Sequence, residues 1–297
     1  MLGSSLVKEL SLDKKNKIFA CSRSQDSEDK NIDWTYFDIT DFKKLDRWLY
    51  ASTPDVLIHC AASINVDMCE EEKEYTKNIH VLATKKISEH FLTNDKKLIY
   101  ISTDSVFNGT NKKPYTEVDH TDPLNNYAKT KLEGEKYVLQ TDNGVVLRTN
   151  IVGWSKEKKY SFFEWLLSSL LQNRELNLFD DVYFSPLNVS ELSKILIQLI
   201  NSDLAGLFHC GSDDFISKYE FGIKTAEVFD IKDFKINRVS IESAKLRAKR
   251  PKNMSLNVDK IKAELKYNLP TCKQTIISLK EQFDRFPNLR SKLSNNC

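Results

Sequence analysis

Leu98-Ile99-Tyr100-Ile101-Ser102-Thr103-Asp104 is the stretch that decides the fold, because an uninterrupted apolar run passes directly into three polar residues. A run that is apolar at every position is typical of a strand buried on both faces, as in a parallel sheet covered by helices. Val56-Leu57-Ile58 shows the same pattern upstream. The polar residues then lie at the carboxyl end of a strand, where open α/β sheets bind their ligands.

Short apolar segments alternate with amphipathic helical patterns through the first half of the chain. The strand predictions are Lys17–Cys21, Thr35–Phe37, Asp55–His59, Lys97–Ser102 and Val145–Thr149, and the helix predictions are Ser5–Leu10, Phe42–Tyr50, Glu71–Thr93 and Tyr127–Leu139. Strand and helix in alternation with short turns predict an α/β fold, a doubly wound parallel sheet that forms a dinucleotide-binding domain over residues 1–150.

The pattern changes after Thr149. Further predicted elements are the helices Phe162–Gln172, Ser190–Asn201, Lys218–Phe229, Ile241–Lys249, Val258–Leu265 and Cys272–Phe283, and the strand Gly206–Cys210. Ser190 has the side chain of a helix N-cap. We expect a smaller mixed α/β substrate lobe from residues 151–185 and 213–297, with residues 186–212 joining the first domain.

Composition narrows the class of protein. The 297 residues are 40% hydrophobic and 29% charged, and 44 basic against 42 acidic residues give a net charge of +2. This balance is typical of a globular protein and does not call for nucleic acid or an anionic membrane as a partner. The N-terminus lacks the apolar core of a signal peptide, and six scattered cysteines form no CxxC pair. We therefore expect a cytoplasmic protein with reduced thiols.

Other chemistries lack their sequence patterns. The five histidines have no metal-ligand spacing, so we expect no metal site. Neither a G-x-S-x-G elbow nor a Walker lysine loop occurs. The basic run Lys245–Lys252 has no aromatic neighbours of the kind that bind nucleic acid, so a solvated helix face is its ordinary interpretation.

Tyr127 and Lys131 form the strongest chemical pattern. They are four residues apart, so a helix presents both on one face. A phenol has a pKa near ~10, and a neighbouring ammonium would bring it toward neutrality. Thr103, at the end of a central strand, could hydrogen-bond the oxygen that Tyr127 protonates. Tyr-x-x-x-Lys also arises by chance, with the tyrosine packed on a helix surface; the upstream Ser-Thr-Asp favours catalysis.

The start of the chain departs from a complete dinucleotide fold, which opens with a strand, a glycine-rich turn and a helix. Gly3 corresponds to the last glycine of such a turn, and the first strand is absent from the sequence as given. Arg23 follows the predicted strand Lys17–Cys21, which corresponds to the second strand of a complete fold. An arginine at this place favours the 2′-phosphate of NADP. The alternative for Arg23 is a basic residue in a turn.

Several stretches match a known family in order and spacing. They are Phe37-Asp38-Ile39-Thr40-Asp41, His59-Cys60-Ala61-Ala62-Ser63 with Val66-Asp67, Tyr100–Gly109, Asn126–Glu135, Leu147-Arg148-Thr149, Ser185-Pro186, Gly206–His209 and Arg250-Pro251-Lys252-Asn253. With these stretches the chain resembles the extended short-chain dehydrogenase/reductases, and most closely the dTDP-4-dehydrorhamnose reductase family.

The resemblance implies a Rossmann-type NAD(P)-binding domain and specific site residues. The implied catalytic set is Thr103, Tyr127 and Lys131. The implied cofactor-binding residues are Gly3, Arg23, Asp38, Ile39, Ala61, Ala62, Ser63, Asn78, Tyr127 and Lys131, with a solvated surface amide as the alternative for Asn78. The implied substrate-binding residues are Asp104, Ser105, Val106, Trp154 and Arg250. The family usually has an aromatic residue where Ser105 stands.

The resemblance further implies NADPH, with NADH as an alternative, and a nucleotide-sugar substrate, and it admits a homodimer. The expected activity is reduction of the 4-keto group of a nucleotide-linked deoxysugar during the synthesis of surface-polysaccharide sugars. Two alternatives stay open: an epimerase or dehydratase of the same superfamily, and a non-catalytic NAD(P)-binding regulatory subunit such as that of methionine adenosyltransferase.

The chain from residue 1 to 297 is expected to bind NADPH weakly or not at all and to aggregate through exposed sheet edges. Buried amides without ladder partners cost ~1–3 kcal/mol each, which is large beside the ~5–15 kcal/mol that stabilises a domain. Calorimetric titration of purified 1–297 with NADPH tests this expectation. A well-folded, soluble chain with micromolar affinity would contradict it.

Overall fold

The computed structural model describes residues 1–23, 32–92, 96–155 and 160–294. Its strands are β1 (Ile18–Ser22), β2 (Ile32–Tyr36), β3 (Val56–His59), β4 (Lys97–Thr103), β5 (Gly144–Thr149), β6 (Ile151–Val152), β7 (Leu176–Phe179), β8 (Tyr183–Phe184), β9 (Leu187–Asn188), β10 (Gly206–Cys210), β11 (Ile216–Ser217) and β12 (Ile236–Val239).

The α-helices are α1 (Leu2–Leu10), α2 (Phe42–Ser52), α3 (Val66–Glu71), α4 (Lys73–Lys77), α5 (Ala83–Phe91), α6 (Asn126–Val138), α7 (Phe162–Leu171), α8 (Val189–Ile200), α9 (Lys218–Val228), α10 (Asp259–Leu265), α11 (Cys272–Arg285) and α12 (Pro287–Ser294). A π-helix (Asn78–Leu82) and two 3₁₀ turns (Asp104–Val106 and Ile241–Ser243) complete them. Thr93, at the end of one predicted helix, lies outside the described residues.

The central sheet is parallel throughout, in the order β10-β5-β4-β3. Every residue of β4 is buried. Ile99 and Ile101 belong to the core that includes residues of α1 and α8, whereas Leu98 and Tyr100 belong to the core that includes residues of α2 and α5. Because helices cover both faces, the predicted doubly wound α/β fold is confirmed.

The sheet is divided beside β3. β1 and β2 form a separate parallel pair, with Ile18 opposite Ile32. Over the ranges that the structure describes, no strand joins β1 to β3. The expected gap between these two strands is therefore present, while weak binding of NADPH stays a prediction.

The predicted lobe has its own core, to which α7, β7, β8, α9 and α11 contribute fully buried or nearly buried side chains. The small sheets β7–β12 and β8–β11 flank it. Leu256, Val258 and Ile261, from the segment expected in the lobe, pack into the core of the central sheet. The domain boundaries stay a prediction.

Two local predictions were wrong. Residues 244–249 are not helical, because neighbouring elements hold their backbone: Asp67 accepts from the N–H of Ala248 at 3.0 Å and Asn125 donates to the carbonyl of Lys249 at 2.9 Å. Ser190 is not the N-cap of α8. Asn188 takes that position, and its side chain accepts from the N–H of Ser190 at 3.2 Å.

No helix among the described residues is long and apolar enough to span a bilayer. The same residues contain no cluster of three or more histidine, cysteine or acidic side chains that could hold a metal ion. The five cysteines within the described ranges are free thiols.

Candidate active site

The carboxyl end of β4 forms the floor of the site. Thr103 lies opposite Thr149 of β5, and the chain then turns at once into a 3₁₀ turn for which Thr103 is the N-cap. Its hydroxyl accepts from the N–H of Ser105 at 3.2 Å and donates to Asp104 Oδ1 at the same distance. The side chains predicted at the strand end therefore lie side by side.

Helix α6 places Tyr127 and Lys131 over this strand end. Asn125 caps the helix by accepting from the N–H of Ala128 at 2.9 Å, which fixes Tyr127 in the first turn. Lys131 is buried one turn later, where Nζ donates to the carbonyl of Ile101 at 2.7 Å and lies 3.8 Å from the centre of the Tyr100 ring.

Burial controls the pKa values of both side chains. It raises the pKa of Tyr127 to about 12, against a hydrogen bond with Thr103 that lowers it. It lowers the pKa of Lys131 to about 7, and Glu135 acts in the opposite direction. The expectation that Lys131 lowers the pKa of Tyr127 was wrong for this structure, because the ammonium is directed at β4 rather than at the phenol. At neutral pH Tyr127 is a phenol, which is a proton donor.

A buried ion pair lies next to Lys131 on α6. Glu135, one turn after Lys131, accepts from Arg148 Nη2 at 2.8 Å and Nε at 3.1 Å, and from the hydroxyl of Ser102. All three side chains are at most 5% exposed. Removing one partner of such a pair leaves an uncompensated buried charge, so the network holds α6 in register with β4 and β5.

His80 joins two parts of the site, and the sequence analysis missed it. Its Nε2 accepts from the N–H of Ser63 at 3.0 Å, and its Nδ1 lies 2.8 Å from the hydroxyl of Thr130 on α6. The Thr130 hydroxyl donates to backbone carbonyls of α6, so Nδ1 carries the proton. The ring meets Tyr127 edge-on at 5.5 Å.

The backbone at His80 is irregular, which no pattern in the sequence indicated. His80 lies in the π-helix that interrupts the predicted single helix, and such interruptions cluster at functional sites. The neighbouring Asn78 starts this π-helix and makes no side-chain hydrogen bond to another described residue, while its carbonyl accepts from Ala83. The role expected of Asn78 stays a prediction.

Asp38 and Arg23 meet at the outer end of the site. Asp38 accepts from the N–H and hydroxyl of Thr40 at 2.9 and 2.8 Å and from the hydroxyl of Tyr75 at 3.0 Å. Burial raises the pKa of Asp38, but these hydrogen bonds outweigh it and the pKa is lowered. Arg23 is exposed and donates to the Tyr75 hydroxyl at 3.1 Å. Ile39 is half-buried against the adjoining core.

Small residues follow β3 at the expected place. Ala61, Ala62 and Ser63 are half-buried and come directly after the buried strand. Gly3 lies at the start of α1, where a Cβ would meet no atom within 4 Å. The amino group of Met1 acts electrostatically on the thiol of Cys60, which places the start of α1 near the end of β3.

The predicted substrate residues lie in different environments. Ser105 donates to Asp104 Oδ1 at 3.2 Å, whereas Val106 is fully buried in the sheet core. Trp154 stacks on Phe283 with ring centres 5.7 Å apart, and its buried Nε1 has no hydrogen-bond acceptor among the described residues. Arg250 pairs with Asp67 at 3.1 Å and donates to the carbonyl of Ala248.

Comparison with known proteins identifies the family. A family model described as the RmlD substrate binding domain matches residues 1–285. The chain belongs to this family. The resemblance seen in the sequence is thereby confirmed. A hypothetical dTDP-4-dehydrorhamnose reductase from Sulfolobus tokodaii has a similar structure, with a TM-score of 0.81 and 29% identity over 91% of this chain and 93% of that one.

Two further proteins are similar to this RmlD-family chain. The methionine adenosyltransferase 2 subunit beta of Rattus norvegicus is 32% identical over 216 residues, which are 70% of this chain. The match spans 64% of that relative's length. The dTDP-4-dehydrorhamnose reductase of Bacillus anthracis, solved in complex with NADP, has the same fold, with a TM-score of 0.80 and 23% identity over 90% of this chain and 99% of that one.

Buried neutral histidines make the stability of the chain depend on pH. Burial lowers the pKa of His80 to about 2 and that of His59 and His209 to about 3. The unfolded chain binds protons on these groups near pH 6.5 while the folded chain does not, so the free energy of unfolding falls as the pH drops below that value. Each histidine contributes up to about 1.4 kcal/mol per pH unit.

Urea denaturation at pH 6.5 and pH 5 tests this prediction. His80→Gln should remove one of the three contributions and flatten the dependence, whereas His120→Gln, at an exposed position, should leave it unchanged. An equal dependence in His80→Gln and the unmodified chain would show that His80 is not held neutral.

Proposed function

We propose that the protein reduces the 4-keto group of a nucleotide-linked deoxysugar with NADPH, in the synthesis of surface-polysaccharide sugars. The observation that carries the proposal is the placement of Tyr127 as a neutral phenol beside Thr103, at the carboxyl end of the central strand. The similarity to dTDP-4-dehydrorhamnose reductases over nearly the whole chain supports the same substrate class.

The residues along the sheet end fit a dinucleotide. Arg23 and Asp38 offer a cation and a carboxylate for the phosphate and hydroxyls of the adenosine ribose. Ala61 and Ala62 leave the backbone after β3 accessible, and the open space at Gly3 does the same at the start of α1. NADPH, when bound, supplies a hydride to the carbonyl carbon.

The chain's own residues provide the proton. Tyr127 donates its phenolic proton to the carbonyl oxygen as the carbon gains the hydride, so the ketone becomes an alcohol and Tyr127 a phenolate. Thr103 donates a hydrogen bond to the same oxygen and stabilises its developing charge. Lys131, whose Nζ donates to the carbonyl of Ile101, holds the helix that bears Tyr127 against the strand that ends in Thr103. The phenolate regains a proton from solvent.

A phenol with a raised pKa suits this direction of reaction. Because burial keeps Tyr127 protonated at neutral pH, its phenol can act as a general acid in nearly every molecule. A tyrosine that served as a base for oxidation would need a lowered pKa.

Tyr127→Phe should reduce turnover by about 10²–10⁴-fold, because it removes the proton donor and leaves the ring packing in place. The measurement is NADPH oxidation at 340 nm with a dTDP-linked 4-keto sugar, in a protein that carries a complete glycine-rich turn before Gly3. Tyr137→Phe, on the same helix but away from the strand end, is the matched control. Near-normal turnover in Tyr127→Phe would remove this residue from the mechanism.

Arg23→Ala should weaken the binding of NADPH about tenfold and leave NADH unchanged, because a hydrogen bond to a charged phosphate contributes ~1.5–3 kcal/mol and Arg23 is exposed. Fluorescence titration with both nucleotides, in the same complete protein, measures the ratio. Arg47→Ala removes an equally exposed arginine on α2 and serves as control. Equal losses for NADPH and NADH would contradict the assignment of Arg23 to the 2′-phosphate.

A second candidate is a regulatory subunit, which the similarity to methionine adenosyltransferase 2 subunit beta favours. This candidate predicts a stoichiometric partner in a pull-down and no ketoreductase activity in a protein with the complete turn. Thr103, Tyr127 and Lys131 are all present and lie together, which supports the reductase more strongly.

A further inference from the structure

Lys218 brings a positive charge from the lobe toward the end of β4. As the first residue of α9, it is fixed by its backbone N–H, which donates to the carbonyl of Val182 at 3.0 Å. Its ammonium lies 3.2 Å from the centre of the Phe184 ring and 4.3 Å from that of Phe162. No described residue accepts a hydrogen bond from it.

The Lys218 ammonium, between two aromatic rings, lacks hydrogen-bond acceptors in the described part of the chain. The two aromatic faces attract its charge, but its three N–H groups still need oxygen or nitrogen acceptors. Lys260 shows the usual solution elsewhere in the chain: its ammonium lies 4.4 Å from the Phe208 ring and also donates to the carbonyl of Leu207 at 2.8 Å. The hydrogen-bond acceptors for the Lys218 ammonium must therefore be supplied by water or by a ligand.

Asp104 is a carboxylate near enough to Lys218 for the two side chains to act on each other electrostatically. Burial lowers the pKa of Lys218 to about 7 and Asp104 raises it, while burial raises the pKa of Asp104 to about 6 and Lys218 lowers it. Asp104 already accepts from Asn150 at 2.6 Å and from Thr103 and Ser105. The ammonium thus lies within electrostatic reach of the residue that directly follows catalytic Thr103, without pairing to it.

We propose that Lys218 is a substrate-binding residue that donates hydrogen bonds to oxygen atoms of the sugar beside the reacting carbonyl. The proposal rests on the proposed function for the position of that carbonyl at Thr103. Sugar hydroxyls both accept and donate, so they can satisfy an ammonium that lies near a carboxylate. A diphosphate can only accept, and the charge of Asp104 repels it. The half-buried ring of Phe162 provides apolar surface against which the C–H face of a sugar packs.

Three variants test the proposal by calorimetry on the chain 1–297. Lys218→Met keeps the length and apolar contacts of the side chain, Lys218→Arg keeps the charge, and Lys260→Met removes a lysine that also lies on an aromatic ring. The probes are dTDP-rhamnose with dTDP, and UDP-glucose with UDP. Lys218→Met should weaken the binding of at least one sugar nucleotide about ten- to a hundredfold and change that of its free nucleotide less than twofold.

The thermal midpoint separates binding from a structural role. Because Lys218→Met removes a partly buried ammonium without acceptors, its midpoint should equal or exceed that of the unmodified chain, whereas a structural lysine would lower it. Lys260→Met should leave all the affinities unchanged, and Lys218→Arg should retain more affinity than Lys218→Met.

Several outcomes would overturn the proposal. Equal losses for a sugar nucleotide and its free nucleotide would assign Lys218 to the diphosphate, and unchanged affinities would exclude it from the site. A chain that binds neither sugar nucleotide contradicts the proposal as well. Oxidation of NADPH reports separately on the proposed reductase: binding that depends on Lys218 without such oxidation, in a protein with the complete turn, would contradict the reductase alone.

Discussion

The hydrogen bond from Lys131 to the carbonyl of Ile101 is the contact on which the site depends. It joins the helix that bears Tyr127 to the strand that ends in Thr103, inside a sheet where water is excluded. A buried ammonium is costly unless it is hydrogen-bonded, so α6 can pack on β4 in only one register. The same burial sets the protonation states of Lys131 and Tyr127.

The polar network around this contact explains how a mostly apolar sheet carries chemistry at one end. Glu135 and Arg148 compensate each other next to Lys131, and His80 ties the loop after β3 to α6. Paired buried networks rigidify a core, although Arg148 Nη1 has no hydrogen-bond partner among the described residues. Trp154 Nε1, in the core of the lobe, has no acceptor among the described residues. No described residue accepts a hydrogen bond from the ammonium of Lys218 either.

Much of this arrangement could be predicted from the sequence. The apolar runs predicted β3, β4, β5 and β10 to within two residues, because strands buried on both faces leave a clear pattern. Contacts between distant segments could not be predicted. The pattern of residues 244–249 predicted a helix, but their backbone groups form hydrogen bonds with the side chains of Asp67 and Asn125 instead. For the same reason His80 and Lys218 were missed, since only the fold brings them to Ser63 and Asp104.

Transfer of deuterium is the most direct test of the proposed reduction at carbon 4, which is the central claim. A protein with the complete turn is incubated with NADPH that carries deuterium at both C4 positions of the nicotinamide and with a dTDP-linked 4-keto sugar. The product is examined by mass spectrometry and NMR. The account predicts one deuterium at carbon 4 of the sugar for each NADPH consumed. A sugar product without deuterium, or NADPH that remains unoxidised, would contradict it.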